Sequence, residues 1–339
     1  MASTGPTAFR PGRNEDLEAC THVWKTALDD YQGRLGQPPV PDDLTPLRRL
    51  LGHLLATDPD RFWVAVRSAT HGAQGDLLDR VIGFTAASVR GDLWFLAMLF
   101  VDPRAQSAGL GGALMDRAQA GRDVDPGGPA VPGPDEPHQT GIRRWGMCTD
   151  AGQPISNGLY ASRGMIPRMP IWRLFGEVRR WATVPTLPRT LEAVPFENLV
   201  AGEPDGHRRL AGAVDALDAE IIGSPHAADH AYLRREGRSG FLVRERGGRP
   251  LGYAYGSGGG RMGPVAALDP ELQPSLIGVA IRSTPVLGPA AMWVPGAADI
   301  ALRALLQAGL RFDGRPGLIC WSAADHPFER YIPISLAIV

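Results

Sequence analysis

Apolar positions along the chain form short continuous runs in some segments and helical spacing in others. The longest clear run is Leu93–Val101, which is apolar almost throughout and therefore typical of a strand buried on both faces. Asp102–Pro103 ends this run, and Gly109–Gly112 then opens a segment whose apolar residues share one helical face. The pattern predicts a strand, a glycine loop and a helix that continues to about Gly121.

The same two periodicities predict further elements on both sides of this stretch. In the first half, strands are predicted at Thr7–Arg10, Phe62–Val66, Arg80–Val89, Arg144–Thr149 and Met169–Phe175, and helices at Leu44–Ala56 and Gly152–Arg163. In the second half, strands are predicted at Leu191–Phe196, Phe241–Arg244, Pro250–Tyr255, Met262–Leu268, Ala290–Val294, Leu318–Ser322 and Tyr331–Val339, and helices at His207–Ile222, Leu272–Ile281 and Ala298–Ala308. Asp123–Gln139 is too rich in proline and glycine to pack and is predicted to be a surface insertion.

The glycine loop has features that favour an anionic ligand. Glycine normally destabilises a helix, so Gly109–Gly112 indicates a place where something approaches the backbone closely. The unpaired N–H groups and the positive end of the helix dipole suit a phosphate. A dinucleotide fingerprint is excluded because Leu114 stands where its third glycine belongs. A glycine-rich helix start packed against a neighbour, and a nucleotide site of another kind, remain as alternatives.

Gln106-x-x-Gly109-x-Gly111, placed between an apolar strand and an amphipathic helix, resembles the coenzyme A pyrophosphate loop of the GNAT acyltransferases. The resemblance implies that the end of the preceding strand binds pantetheine through its backbone. It also implies an acyl-CoA, most simply acetyl-CoA, as cosubstrate. The binding residues it implies are Leu99, Phe100, Val101, Gln106, Ser107, Ala108, Gly109, Leu110, Gly111, Gly112, Gln153, Asn157 and Tyr160.

A second part of the resemblance lies further along the chain. GNAT domains often carry Asn, six residues, Tyr, three residues and Gly-Phe, and this frame here holds Gln153, Tyr160, Gly164 and Met165. The resemblance implies that Tyr160 protonates the leaving thiolate. The alternative is that Tyr160 is an aromatic side chain that covers the seam between helix and sheet.

The element order of the first half recurs in the second, with a matching Asp269–Pro270 corner. The fold class expected is α/β (α+β), with two tandem GNAT-like domains, each a mixed, mostly antiparallel twisted sheet flanked by helices. The expected boundaries are 1–176, a linker at 177–190, and 191–339. The second corner lacks the GxG pattern and carries Glu271, which would repel a diphosphate. The second half therefore either binds no coenzyme A or holds it by contacts outside this motif.

The charge, the cysteine content and the apolar runs of the sequence limit which partners and which compartment are expected. The formal net charge is −1 and the arginine pairs are scattered, so no nucleic-acid partner is expected. The three cysteines are far apart and form no CxxC pair, which favours a reduced cytoplasm. No signal core or membrane-length apolar run is present in the sequence, so neither export nor membrane insertion is expected.

The function expected is transfer of an acyl group to the amine of a small molecule by direct attack. The general base is not evident, because Leu93–Val101 has no ionisable side chain and Asp92 and Asp150 are typical turn residues. One alternative is that acetyl-CoA is a structural or regulatory ligand of the first half, while the second half catalyses the acyl transfer. Another is an acyl-CoA sensor without catalysis. His226 and His230 have metal-ligand spacing but lack an acidic third ligand, so no metal is expected.

Overall fold

The computed structural model describes residues 6–67, 80–106, 108–120, 141–201, 204–285 and 287–338. The insertion predicted at Asp123–Gln139 lies outside these ranges, and so does Ser107. The chain divides into two compact units, residues 1–89 with 94–137 (unit 1), and residues 90–93 with 138–339 (unit 2). The domain boundaries 1–176, 177–190 and 191–339 stay a prediction.

Unit 1 is a sheet in the order β1-β2-β3-β4 with helices around it. Its strands are β1 (Thr7–Pro11), β2 (Phe62–Arg67), β3 (Arg80–Arg90) and β4 (Leu93–Val101), and its helices are α1 (Leu17–Arg34), α2 (Thr45–Thr57) and α3 (Leu110–Ala120). The apolar run predicted to be a doubly covered strand is β4, whose first six residues are buried. In α3, Leu110 and Leu114 point into a core with Trp63 and Ile82. Helical spacing thus places the start of α3 firmly against the sheet.

Unit 2 contains two sheets. Its strands are β5 (Arg144–Asp150), β6 (Ile166–Gly176), β7 (Leu191–Pro195), β8 (Ser239–Glu245), β9 (Pro250–Gly256), β10 (Met262–Ala267), β11 (Ala290–Pro295), β12 (Arg311–Phe312), β13 (Gly317–Trp321) and β14 (Tyr331–Ile332). Its helices are α4 (Pro154–Ala161), α5 (Phe196–Val200), α6 (Gly206–Ile221), α7 (Ala227–Arg235), α8 (Gln273–Ser283) and α9 (Asp299–Ala308). The strand orders are β5-β13-β6-β11, with β12 also on β6, and β14-β10-β9-β8-β7.

The first of these sheets joins strands from both predicted domains. β13 pairs antiparallel with β5 on one side and with β6 on the other. β6 in turn pairs antiparallel with β11. Each predicted half therefore contributes an inner strand that lies beside the other half's strands. One hydrophobic core cluster of unit 2 is formed mainly by β10 and β11 with α8 and α9.

One predicted strand is much shorter than expected. Tyr331–Val339 was expected to be a strand throughout, but only Tyr331–Ile332 pairs. Pro333 has no N–H to donate to a neighbouring strand. The hydroxyl of Ser335 then accepts the N–H groups of Ala337 and Ile338, which turns the chain locally instead of extending it. No helix in the described ranges has the length and apolar character needed to cross a membrane.

Candidate functional site

The corner after β4 is fixed by a buried carboxylate. Asp102 is 5% exposed, and its Oδ1 accepts the N–H of Arg104 at 3.0 Å. Its Oδ2 accepts a hydrogen bond from Arg80 Nη2 at 2.8 Å, and its own N–H donates to the carbonyl of Ile82 at 2.8 Å. This carboxylate therefore ties the end of β4 to β3 and stabilises the turn that leads to α3.

The loop between this corner and α3 is open to solvent. Gln106, Ala108 and Gly109 are exposed, and Gln106 Nε2 donates to the carbonyl of Val101 at 3.1 Å. Gly109 has φ +75°, and no atom lies within 4 Å of where a Cβ would sit. Such a backbone strongly favours glycine. The predicted glycine therefore has a backbone reason to be there, and it leaves free space above the helix start.

The first N–H groups of α3 are available for a ligand. Within the described residues, the N–H groups of Gly109, Leu110 and Gly111 have no acceptor, whereas Ala113 donates to the carbonyl of Gly109 at 3.1 Å. Helix geometry leaves such N–H groups without intrahelical partners, and the helix dipole makes this end positive. No acidic residue lies in the first turn of α3. Arg104 is exposed in the preceding turn and adds positive charge.

The last three residues of β4 are half-buried, unlike the buried residues before them. Phe100 stacks on Phe84 with ring centroids 5.9 Å apart and meets the edge of Trp24 at 6.2 Å. On the neighbouring strand, a Cβ at Gly83 would lie 3.2 Å from the Phe100 carbonyl oxygen. This close backbone approach and the aromatic stack hold the strand end that the resemblance implies for pantetheine. Leu99 and Val101 pack partly against the core beneath α3.

The other predicted binding residues lie in unit 2, on and before α4. Tyr160 is 6% exposed, and burial raises the pKa of its phenol well above the ordinary value, with a hydrogen bond to Ser156 acting in the opposite direction. Asn157 Nδ2 donates to the carbonyls of Asp150 and Ala151 at 3.3 and 3.4 Å, while its buried Oδ1 has no partner among the described residues. Gln153 precedes α4, and its carbonyl accepts the N–H of Asn157 at 2.9 Å.

Neither aspartate near the strands is placed as a free base. Asp92 Oδ1 accepts from Arg144 Nε at 3.0 Å, and its carbonyl accepts the N–H groups of Arg143 and Arg144. Asp150 Oδ1 accepts the N–H of Gly152 at 2.6 Å. Both carboxylates therefore hold turns, as their sequence context indicated.

The second Asp-Pro corner leads to a different helix start. Asp269 Oδ1 accepts the N–H of Glu271 at 3.0 Å, but the chain then enters α8 directly at Gln273. Gln273 is 0% exposed, and Pro274 contributes no N–H. The predicted linker lies against this helix, because Ser275 Oγ donates to the Thr186 carbonyl at 3.3 Å. The second corner therefore offers no open set of N–H groups among the described residues.

A buried polar cluster in unit 2 was only partly visible from the sequence. Asp218, which is 0% exposed, accepts from Tyr253 at 2.6 Å through Oδ1. Its Oδ2 lies 2.8 Å from His230 Nε2, and His230 Nδ1 lies 2.8 Å from the Tyr255 hydroxyl. The sequence analysis singled out His230, but it did not single out Asp218. Among the described residues no group of three or more His, Cys, Asp or Glu side chains could hold a metal ion.

Residues 22–120 match the model of the Acetyltransferase (GNAT) family. The chain carries a GNAT acetyltransferase domain. The matched segment contains β4, the open loop and α3, so the family model confirms the GNAT resemblance for this part of the chain. No curated protein matches this chain significantly.

Solved structures with the GNAT fold resemble the chain over nearly its whole length. A Pyrococcus horikoshii protein described as a proposed acetyltransferase has a TM-score of 0.67 at 13% identity, covering 98% of this chain and 96% of that one. A GCN5-related N-acetyltransferase from Sphaerobacter thermophilus has a TM-score of 0.53 at 16% identity, covering 99% and 100%. A tandem GNAT protein from the clavulanic acid biosynthesis pathway has a TM-score of 0.50 at 16% identity, covering 93% and 98%. These likenesses confirm the predicted fold class.

Proposed function

We propose that the protein transfers an acyl group, most simply acetyl, from acyl-CoA to the amine of a small molecule by direct attack in a ternary complex. The observation that carries this proposal is the set of open N–H groups at Gly109–Gly111, after a buried strand in a GNAT-matched segment. A diphosphate suits these N–H groups, the dipole of α3 and the nearby charge of Arg104. Gly109 leaves the space that a diphosphate would occupy.

Each remaining residue of the predicted binding set has a role in the proposal. The main chain of Leu99–Val101 would hydrogen-bond to pantetheine, and Gln106 would hold the loop through its bond to the Val101 carbonyl. Ala108, Leu110 and Gly112 are proposed to complete the loop around the diphosphate, and so is Ser107, which lies outside the described residues. In unit 2, Gln153 and Asn157 are proposed as amide contacts.

The proposal assigns proton transfer to Tyr160. The acyl-CoA supplies an acyl carbon activated as a thioester. The amine nitrogen bonds to that carbon, the carbon–sulfur bond breaks, and the sulfur takes a proton from the Tyr160 hydroxyl. A phenol is protonated at neutral pH and can therefore donate its proton, while burial raises the pKa of Tyr160 and makes it a weaker acid than an exposed tyrosine. Asp92 and Asp150 are engaged in turns, so the proposal passes the proton released by the amine to solvent water, and water in turn returns a proton to Tyr160.

The test combines a count of bound ligand with a Tyr160→Phe variant. Intact-complex mass spectrometry of the full chain should count one acyl-CoA per chain and identify its acyl group. Tyr160→Phe keeps the ring but removes the acid, so kcat should fall about 100-fold in acyl transfer to small amines. Calorimetry should show unchanged affinity for coenzyme A.

Two other outcomes would contradict this assignment. An unchanged kcat together with a lower melting temperature would make Tyr160 a core aromatic residue only. Tight binding of acyl-CoA without transfer to any amine in a broad panel would instead favour a sensor.

A further inference from the structure

Unit 2 contains a cleft of about 460 Å³ that is separate from the glycine loop. It lies where Arg261, just before β10, forms an isolated bridge with Ala291 on β11. The N–H of Ala291 donates to the Gly260 carbonyl at 2.8 Å, and the N–H of Leu287 donates to the Gly258 carbonyl at 3.1 Å. These bonds hold a glycine turn on one side of the cleft and the segment before β11 on the other.

The cleft carries positive charge that the protein leaves largely unneutralised. Arg261 lines it, and Arg238 lies against Arg261, with Nη1 donating to the Arg261 carbonyl at 3.3 Å. Within the described residues neither Arg238 nor Arg261 forms an ion pair with a carboxylate. Arg173 also lines the cleft but is paired with Asp313.

The pKa values of these arginines reflect their crowding. Burial, followed by repulsion from Arg261, lowers the pKa of Arg238 to about 10, although Glu236 and Tyr232 act in the opposite direction. Burial and then repulsion from Arg173 also lower the pKa of Arg261. Arg261 as a residue is nevertheless exposed. An anion bound there would relieve the repulsion, and a guanidinium suits a carboxylate or phosphate geometrically.

The same cleft is also lined by apolar side chains. Leu287 is 95% exposed and Phe175 is 40% exposed, and both line the cleft together with Trp293 and Ile334. Arg173 lies over the Phe175 ring, 5.3 Å from its centroid. Concave sites that combine an apolar wall with a few polar groups are typical of small-molecule binding.

We propose that this cleft binds a small molecule with an anionic head group, a carboxylate or a phosphate, and an apolar body. Arg261 takes the head group, and the wall formed by Phe175 and Leu287 takes the body. The site is independent of the acyl-transfer proposal, since none of its lining residues belongs to the glycine loop or to α4.

Calorimetry on the full chain with three probes tests the proposal. 3-Phenylpropionate and phenyl phosphate carry the two head groups, and 3-phenylpropanamide is the neutral analogue. We expect at least one anion to bind at least about tenfold more tightly than the amide, a difference of about 1.4 kcal/mol. The better anion identifies the head group. Arg261→Gln should remove this preference, while Arg303→Gln, an exposed arginine on α9, should keep it.

A second variant tests whether the apolar wall binds the apolar body of the ligand, and it leaves Arg261 unchanged. Leu287 is almost fully exposed, so Leu287→Ser should leave the melting temperature unchanged but weaken binding of the preferred anion several-fold. The proposal is overturned if neither anion binds at 10 mM, as roughly 2.7 kcal/mol of affinity is the least that one such site should supply. It is equally overturned if the amide binds as well as the anions, or if Arg261→Gln leaves anion affinity unchanged.

Discussion

The two Asp-Pro corners begin alike and end differently. Asp102 and Asp269 each accept, at 3.0 Å, the N–H two residues further on, and each is followed by proline. Four residues after the aspartate, both segments carry glutamine, which is Gln106 in the first and Gln273 in the second. In the first corner that glutamine is exposed in a loop, whereas in the second it is buried at the start of α8.

The residues that follow explain the difference. At the same count from the aspartate, the first corner has Gly109 at φ +75° and the second has Leu276 inside a helix. Leucine disfavours positive φ, so the segment after the second corner continues from the turn as a helix. The linker then covers that helix, with Arg282 donating to the carbonyls of Val184 and Pro185 at 2.6 and 3.0 Å. A shared corner therefore precedes both helices, and Gly109 in the first and the linker over α8 in the second accompany the difference in how open their N–H groups are.

The largest effect should come from giving the first corner the residue of the second. Gly109→Leu places a side chain in the space proposed for the diphosphate, and we expect coenzyme A affinity to fall about 100-fold, or about 2.7 kcal/mol. Backbone strain adds about 1–2 kcal/mol of destabilisation. Gly247→Leu is the control, because Gly247 has φ +68° and equally open surroundings. It should show the strain in its melting temperature without any loss of affinity.

The same variant separates the two catalytic hypotheses. If Gly109→Leu loses coenzyme A binding at the first corner but still transfers acyl groups, the second half carries out the catalysis. Unchanged coenzyme A affinity would remove the basis for the proposed site.

An intermediate effect should distinguish the two aspartates. Asp102→Ala removes a turn contact and also the bond from Arg80 at 2.8 Å, so it should lower the free energy of unfolding by about 2–3 kcal/mol. Asp269→Ala removes mainly its turn contact and should cost about 1 kcal/mol. Urea unfolding of both variants measures the difference. Equal costs would show that the Arg80 bond contributes nothing and that the corners are energetically the same.

The smallest effect concerns His226, a buried histidine of the second half. Burial lowers the pKa of His226 from its ordinary value, and His230 and Arg90 act in the same direction against Asp218 and Asp229. Below about pH 6.5 the unfolded chain takes up a proton that the folded chain resists, so stability is full above that pH and falls as pH decreases. The loss should not exceed about 1.4 kcal/mol per pH unit.

Urea unfolding between pH 8 and pH 5 measures this loss. His226→Gln should flatten the pH dependence, whereas the exposed His207→Gln should not. A wild-type profile that stays flat across this range would contradict the prediction.

Local features of the fold and the loop were predictable because they depend on neighbours in the sequence. The apolar run at β4 and the helical spacing of α3 and α6 lie where periodicity indicated. Gly109 was predicted from its motif, and its positive φ gives that prediction a backbone reason. Asp218 was missed because a carboxylate on an amphipathic helix normally faces solvent. Its burial becomes evident only when Tyr253 and His230 are seen to bond to it.

By itself, the sequence determined most of the longer strands and helices, among them β4, α3 and α6, and the position of the glycine loop after β4. Tertiary structure alone decided which strands meet, as with Trp321, which lies opposite Gly146 on one side and Ile166 on the other. It also decided that the linker covers α8 and that Arg173 and Arg261 line the same cleft. The physical reason is that periodicity specifies a buried face but not its partner, which is chosen by packing between residues far apart in the chain.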